Sequence, residues 1–175
     1  MTTSLAGRLL VASPLLADPN FYRTVVYLAE HTEEGAMGLV LNRPTDAAVV
    51  DHLPSWDLLA SEPDVVFVGG PVSNEIAVGL AAAPGESDAD PVELVDLGVD
   101  PEAGAVARLR VFSGYSGWSA AQLELELAIG SWFVVDADLD DLFTSSPADL
   151  WRRVLRRQPG RLAFYAHFPE DLASN

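Results

Sequence analysis

Short apolar runs separated by polar turns fill the first two thirds of the chain, and helical spacing of apolar residues starts only after Trp118. Gly7 to Ala12 is one such run, closed by Ser13-Pro14. Thr24 to Ala29 and Met37 to Leu41 are two more, joined by Thr32-Glu33-Glu34-Gly35; a polar turn ending in Gly between two apolar runs predicts a hairpin. Val25, Val26, Tyr27 and Leu28 are apolar at consecutive positions, so both faces of that strand are expected to be covered and the hairpin to lie inside the fold. Val65 to Val68 predicts a strand ending at Gly69-Gly70-Pro71, with Ile76 to Ala81 expected as its partner. Ala105 to Phe112 predicts the next, with Leu109, Val111 and Ala107 on one face.

Ser119-Ala120-Ala121-Gln122 fits a capping box, in which the Ser hydroxyl and the Gln side chain each satisfy an otherwise unpaired backbone N–H. Trp118 and Leu123 then form the hydrophobic staple, Leu127 continues the buried stripe, and Gly130 stops the helix. A second helix is predicted from Ser146, with Pro147 at its first position, to about Arg157. Leu150, Trp151, Val154 and Leu155 make its buried face, flanked by Arg152, Arg153, Arg156 and Arg157. The stretch Ala83 to Glu102 is rich in Pro, Gly and acids and reads as solvated loops around one short strand, Val92 to Val95, rather than as a linker. Strands before helices, joined by hairpins, predict an α+β class and one domain over residues 1–175.

Charge changes this picture more than composition does. The chain of 175 residues has 26 acidic residues against 10 basic ones, a net charge of −16; every basic residue is Arg, and there is no Lys and no Cys. Schiff-base chemistry, a Walker A loop, thiol catalysis, disulfides and Cys-based metal sites are therefore excluded. Phosphate neutralisation drives non-specific DNA affinity, so a chain this acidic is not expected to bind nucleic acid directly. The acidity is uneven: 24 of the acids and five Arg precede residue 150, net −19, whereas residues 150–175 hold five Arg and two acids, net +3. The last helix is expected to dock on its own domain through those Arg. Arg8 and Pro14 interrupt the apolar stretch Leu5 to Ala17, so no secretion signal is expected, and no apolar run is long enough to span a membrane. The expected location is the cytoplasm.

Several motifs approach known chemistry without meeting it. Gly114-Tyr115-Ser116-Gly117-Trp118 lies between a predicted strand and a predicted helix, as a nucleophile elbow would, but Trp118 stands where the motif needs Gly; a tight glycine turn burying Trp118 accounts for it equally well. Asp136, Asp138 and Asp140 alternate as in an EF-hand loop, but Asp141 replaces the required Gly. His31 among Glu30, Glu33 and Glu34 would make at most a weak cation site, and an exposed hairpin turn is the simpler reading. Gly69-Gly70-Pro71 and Asn42-Arg43-Pro44, each at a strand end, offer backbone donors, one amide and one cation.

Taken in order, these segments resemble the AlgH/YqgE-like family of small bacterial proteins. The resemblance rests on Leu10-Val11-Ala12-Ser13-Pro14, Asp18-Pro19-Asn20-Phe21, Arg23-Thr24-Val25, Glu30-His31, Gly35-Ala36-Met37-Gly38, Leu41-Asn42-Arg43-Pro44, Gly69-Gly70-Pro71-Val72, Gly114 through Trp118, Gln122-Leu123-Glu124, Trp132 and Asp149-Leu150-Trp151. It implies a bifurcated, strongly bent, mostly antiparallel sheet forming a pseudo-barrel with packed helices. The family pattern has Gly immediately before the Gln of the helix start; this chain has Ala121, a change that a helix accommodates. Members are commonly labelled transcriptional regulators on the genetics of alginate production, and no catalytic residues are assigned to them.

The expectation is a non-enzymatic regulatory or binding protein acting through a protein partner or a small ligand, with no cofactor, no metal and no membrane partner. Its candidate surface gathers Glu30, His31, Asn42, Arg43, Gly69, Gly70, Tyr115 and Trp118. One alternative is a hydrolase or nucleotide-binding enzyme with Arg43 for an anionic group and His31 or Glu30 for proton transfer. The other is direct DNA binding through the Arg152 to Arg157 helix.

Overall fold

A computed structural model of the chain describes residues 3–85 and 92–170. Its strands are β1 (Leu9–Ala12), β2 (Val25–Thr32), β3 (Gly35–Val40), β4 (Pro44–Ala48), β5 (Val65–Val68), β6 (Val72–Ala82), β7 (Val92–Val95), β8 (Arg108–Ser119) and β9 (Trp132–Val135). The α-helices are α1 (Val49–His52), α2 (Gln122–Ala128), α3 (Leu139–Leu142), α4 (Leu150–Arg156) and α5 (Leu162–Tyr165). Nine strands form one open, mostly antiparallel sheet with the path β4-β5-β8-β3-β2-β1-β9, and β6 and β7 branch from β8. The branch point is β8 itself. Residues 108–115 of β8 face β6 and residues 111–113 face β5 in parallel, whereas Ser116 to Ser119 pair with β3. Gly114, at φ +70, sits where the partners change.

The consecutive apolar runs are explained by two covered faces, because side chains alternate across a strand. Leu9, Val11 and Val25 pack into one cluster with Leu150, Trp151, Val154 and Leu155 of α4. Leu10, Ala12, Val26 and Leu28 pack on the opposite side with Trp118, Leu123 and Trp132. The predicted hairpin is β2–β3, turning at Glu33-Glu34, and β7 coincides with the strand predicted in the acidic stretch; residues 86–91 of that stretch lie outside the described residues.

Four expectations are corrected. β6 is not the partner of β5: it pairs with β7 and β8, and β5 lies between β4 and β8. Ala107 is exposed, and β8 starts one residue later. Tyr115 to Trp118 form no turn but the second half of β8, held in extended form by β3 and, at Tyr115, by β6, with only Gly114 in a left-handed conformation before them. The helix that follows starts at Gln122 rather than in a capping box on Ser119. Half of the box survives: the Ser119 backbone N–H donates to Gln122 Oε1 at 3.0 Å, and the staple residues Trp118 and Leu123 share one apolar cluster.

Ala121 is not within the helix either. It caps α2 from the left-handed region, φ 66 and ψ −7, which disfavours a residue with a Cβ and suits Gly. Ala121→Gly is therefore expected to stabilise the fold by about 0.5–1 kcal/mol, less than the full left-handed strain because Gly also loosens the unfolded chain. Urea unfolding reads this as a higher midpoint at unchanged slope.

Candidate functional site

The eight candidate residues fall into two groups at opposite ends of the β2–β3 hairpin. Leu41 N–H donates to Val25 O at one end, and His31 faces Ala36 at the other. Six residues of extended strand put about 20 Å between them. Arg43 and Gly70 share the first end, where Val68 N–H donates to Arg43 O at 2.8 Å and draws the start of β4 onto the end of β5. Gly69 and Tyr115 stand behind them. Gly69 O accepts from Val40 N–H and from the buried Ser116 hydroxyl, and the Tyr115 backbone abuts Gly70. Asn42 is a brace: its Oδ1 accepts from Val25 N–H and its Nδ2 donates to Arg23 O.

Between these elements lies an open cleft of about 320 Å³, lined by Asn20, Arg43, Val68, Gly70, Pro71 and Asn74 among others, with no acidic side chain in its wall. Arg43 Nη2 donates to Tyr22 O at 2.8 Å and Nη1 reaches Pro19 O at 3.4 Å. These bonds fix the guanidinium but do not neutralise it, and among the described residues no carboxylate pairs with it. A guanidinium has five N–H donors, so donors remain for a ligand. Asn20, Val68, Pro71 and Asn74 were not among the candidates. Asn20 and Pro71 stand inside the quoted family segments, whereas Asn74 follows an irregular stretch that only the fold brings to the cleft.

The other candidates serve the second end. His31 is buried rather than exposed at the turn. Its Nδ1 accepts from Leu5 N–H at 2.9 Å, which puts the ring proton on Nε2, 2.7 Å from Glu124 Oε1 on α2. That hydrogen bond, more than any other cause, holds the Glu124 carboxyl below its usual range. Glu30 is exposed beside it. Trp118 is buried, stacked on Phe21, and its indole N–H donates to Glu126 Oε1 at 3.2 Å, as does that of Trp132 at 3.0 Å. This end is a polar-clasped core.

The aspartates and the C-terminal Arg residues find one another. Arg157 donates to both oxygens of the buried Asp141 at 2.7 and 2.5 Å, and this pairing raises its pKa. Asp136 pairs with Arg8 and Asp140 with Arg108, and no group of ligands for a metal occurs among the described residues. Arg152 donates to Ala166 O and Arg153 to the Thr144 hydroxyl. Three of the four Arg on α4 and its end thus bind their own chain. Among the described residues no helix is long and apolar enough to cross a membrane.

Comparisons with known proteins bear on the same fold. A family model described as AlgH-like matches residues 9–163. The UPF0301 protein of Streptomyces avermitilis is 50% identical over 99% of this chain and 96% of its own length. A crystal structure of a Corynebacterium diphtheriae protein aligns at TM-score 0.88 with 31% identity, covering 95% of this chain and 94% of the other. The solution structure of the AlgH protein of Pseudomonas aeruginosa aligns at TM-score 0.68 with 27% identity, covering 97% and 98%.

Proposed function

The chain belongs to the AlgH-like family, and from that premise we propose a cytosolic, single-domain, non-catalytic binding protein whose cleft at Arg43 takes the anionic group of a small ligand. One observation carries this reading: a chain of net charge −16 keeps, in one cleft, a guanidinium with no carboxylate partner and no acidic wall. The cleft volume of about 320 Å³ is in the range of small-molecule sites. Regulation would follow if the ligand alters which partner the protein meets.

The enzymatic alternative has little support, since His31 and Glu30 lie about 20 Å from Arg43 and the Ser116 hydroxyl is fully buried on Gly69 O. Direct DNA contact is opposed by the net charge and by the engagement of Arg152, Arg153 and Arg157 within the chain. The test is a thermal-shift screen of small carboxylates and inorganic phosphate. A ligand at about a hundred times its Kd adds about 2.7 kcal/mol, which for a chain of this length raises Tm by roughly 5–10 °C. Arg43→Ala and Arg43→Gln should abolish the rise. An equal rise in wild type and both variants, or none with any anion, overturns the reading.

A further inference from the structure

A second cavity, of about 400 Å³, adjoins the first and is mostly apolar, lined by Ala47, Leu53, Val66, Ile76, Ala77 and Val111, with His52 and Glu75 as its only charged or titratable neighbours. The two are successive parts of one groove. Val68 lines the first and Val66 the second; two residues apart on β5, they share a face at a spacing of about 7 Å. Phe67 between them points into the core. Pro44 of β4 lines the first half and Ala47 the second, and Asn74 lines both.

The segment at the junction is unusually constrained. Pairing of β6 with β8 breaks between Val72 and Ala77, and Ser73 has φ 50. Asn74 Nδ2 donates to Gly70 O at 2.7 Å, and its carbonyl accepts from the Ser113 hydroxyl. Bulges of this kind concentrate at binding sites, where they re-aim side chains. The groove presents two apolar side chains to solvent, Val68 in its first half and Ile76 in its second, the latter 49% exposed.

Deepening the reading of the Arg43 cleft, on which it rests, we infer that the ligand is a single-headed organic carboxylate with an apolar chain, its head on Arg43 and its body along Val66 to Ile76. The groove holds one unpaired cation within a chain of net charge −16, which suits one bidentate carboxylate–guanidinium pair and repels a polyanion. Further affinity then comes from the apolar half, where each buried methylene multiplies binding by up to about fourfold.

The test is an amide-resolved NMR titration of the full chain with octanoate, acetate, octanamide and inorganic phosphate. Octanoate is expected to bind at least about tenfold tighter than acetate or octanamide, moving the amides of both Val68 and Ile76. Ile76→Ser should remove that gain, so that octanoate then binds no tighter than acetate does. If octanoate binds no tighter than acetate, or phosphate outcompetes it, the inference fails while the Arg43 cleft stands. Octanamide binding as well as octanoate overturns the role of the head group. If none of the anions moves the amides of Arg43 and Gly70, the reading of the cleft fails as well.

Discussion

Arg110→Ala is expected to lower stability by about 4 kcal/mol. Arg110 is the third residue of β8, is only 2% exposed, and heads the largest fully buried side chains. Among the described residues no carboxylate pairs with it. Its guanidinium donates to Thr144 O at 2.7 Å and more weakly to Pro63 O and Glu62 O, lies 4.3 Å from the centre of the Phe67 ring, and leaves Nε without a partner. Burial without a counter-charge pushes its pKa down to about 10. The folded state therefore releases this proton more readily than the unfolded chain does, so the cation disfavours folding below that pH and the penalty is relieved as the pH rises through about 10. Against that penalty stand three carbonyls that would lose their donor and a cavity that alanine cannot fill. Methionine separates the terms, because it keeps most of the volume and removes the charge; Arg110→Met is expected to cost about half as much. Urea unfolding of the two variants decides it. An Arg110→Ala protein within about 1 kcal/mol of wild type would mean that desolvation cancels the hydrogen bonds and packing.

Arg110 also marks where the sequence was legible and where it was not. Leu109-Arg110-Val111-Phe112 reads as a strand because its neighbours are apolar, but nothing local says that the Arg stays inside; that depends on the carbonyls of residues 62, 63 and 144 reaching it from distant loops. The elements read correctly are those whose signal is local. Val25 to Leu28 is apolar on consecutive positions because β1 and β3 flank it and clusters cover both faces. Glu33-Glu34 turns where a polar pair precedes Gly35, and the stripe Leu150, Trp151, Val154 and Leu155 is buried as its spacing requires. Long-range pairing was hidden. Ser116 and Gly117 look like turn residues, yet β3 holds them in a strand. β4 begins with Pro44 and contains Asp46, which a strand accepts at the edge of a sheet.

The site shows the same division. Arg43 and Gly70 were recognisable as polar and glycine breaks at strand ends, and β4–β5 pairing brings them together. His31 and Trp118 were equally conspicuous, but their partners, Leu5, Glu124 and Glu126, lie on other elements and turn them into core. The charge asymmetry was read more directly. A net +3 C-terminal segment in an acidic chain has its carboxylates and carbonyls waiting, and Arg157 on Asp141 is the firmest of those contacts.

Gly70→Ala is expected to be the most damaging substitution at the groove, lowering stability by about 3 kcal/mol and abolishing anion binding in whatever fraction remains folded. A Cβ at Gly70 would lie 2.3 Å from both the carbonyl carbon and the oxygen of Tyr115 and 2.4 Å from Ser116 Oγ. The first two are backbone atoms in the branch-point strand and cannot swing aside as a side-chain end would. Relief requires β8 to move away from the Gly69-Gly70-Pro71 corner, which breaks the Ser116 hydroxyl bond to Gly69 O and widens the cleft between Arg43 and Asn74. Gly117→Ala is the matched control. It lies in the same strand, is exposed, and its Cβ would meet nothing nearer than 3.9 Å, so it should change stability by less than about 1 kcal/mol. Urea midpoints and amide spectra of the two variants provide the measurement. Equal midpoints would mean that the corner is compliant, and with it the wall that holds Arg43 and Gly70 in one cleft.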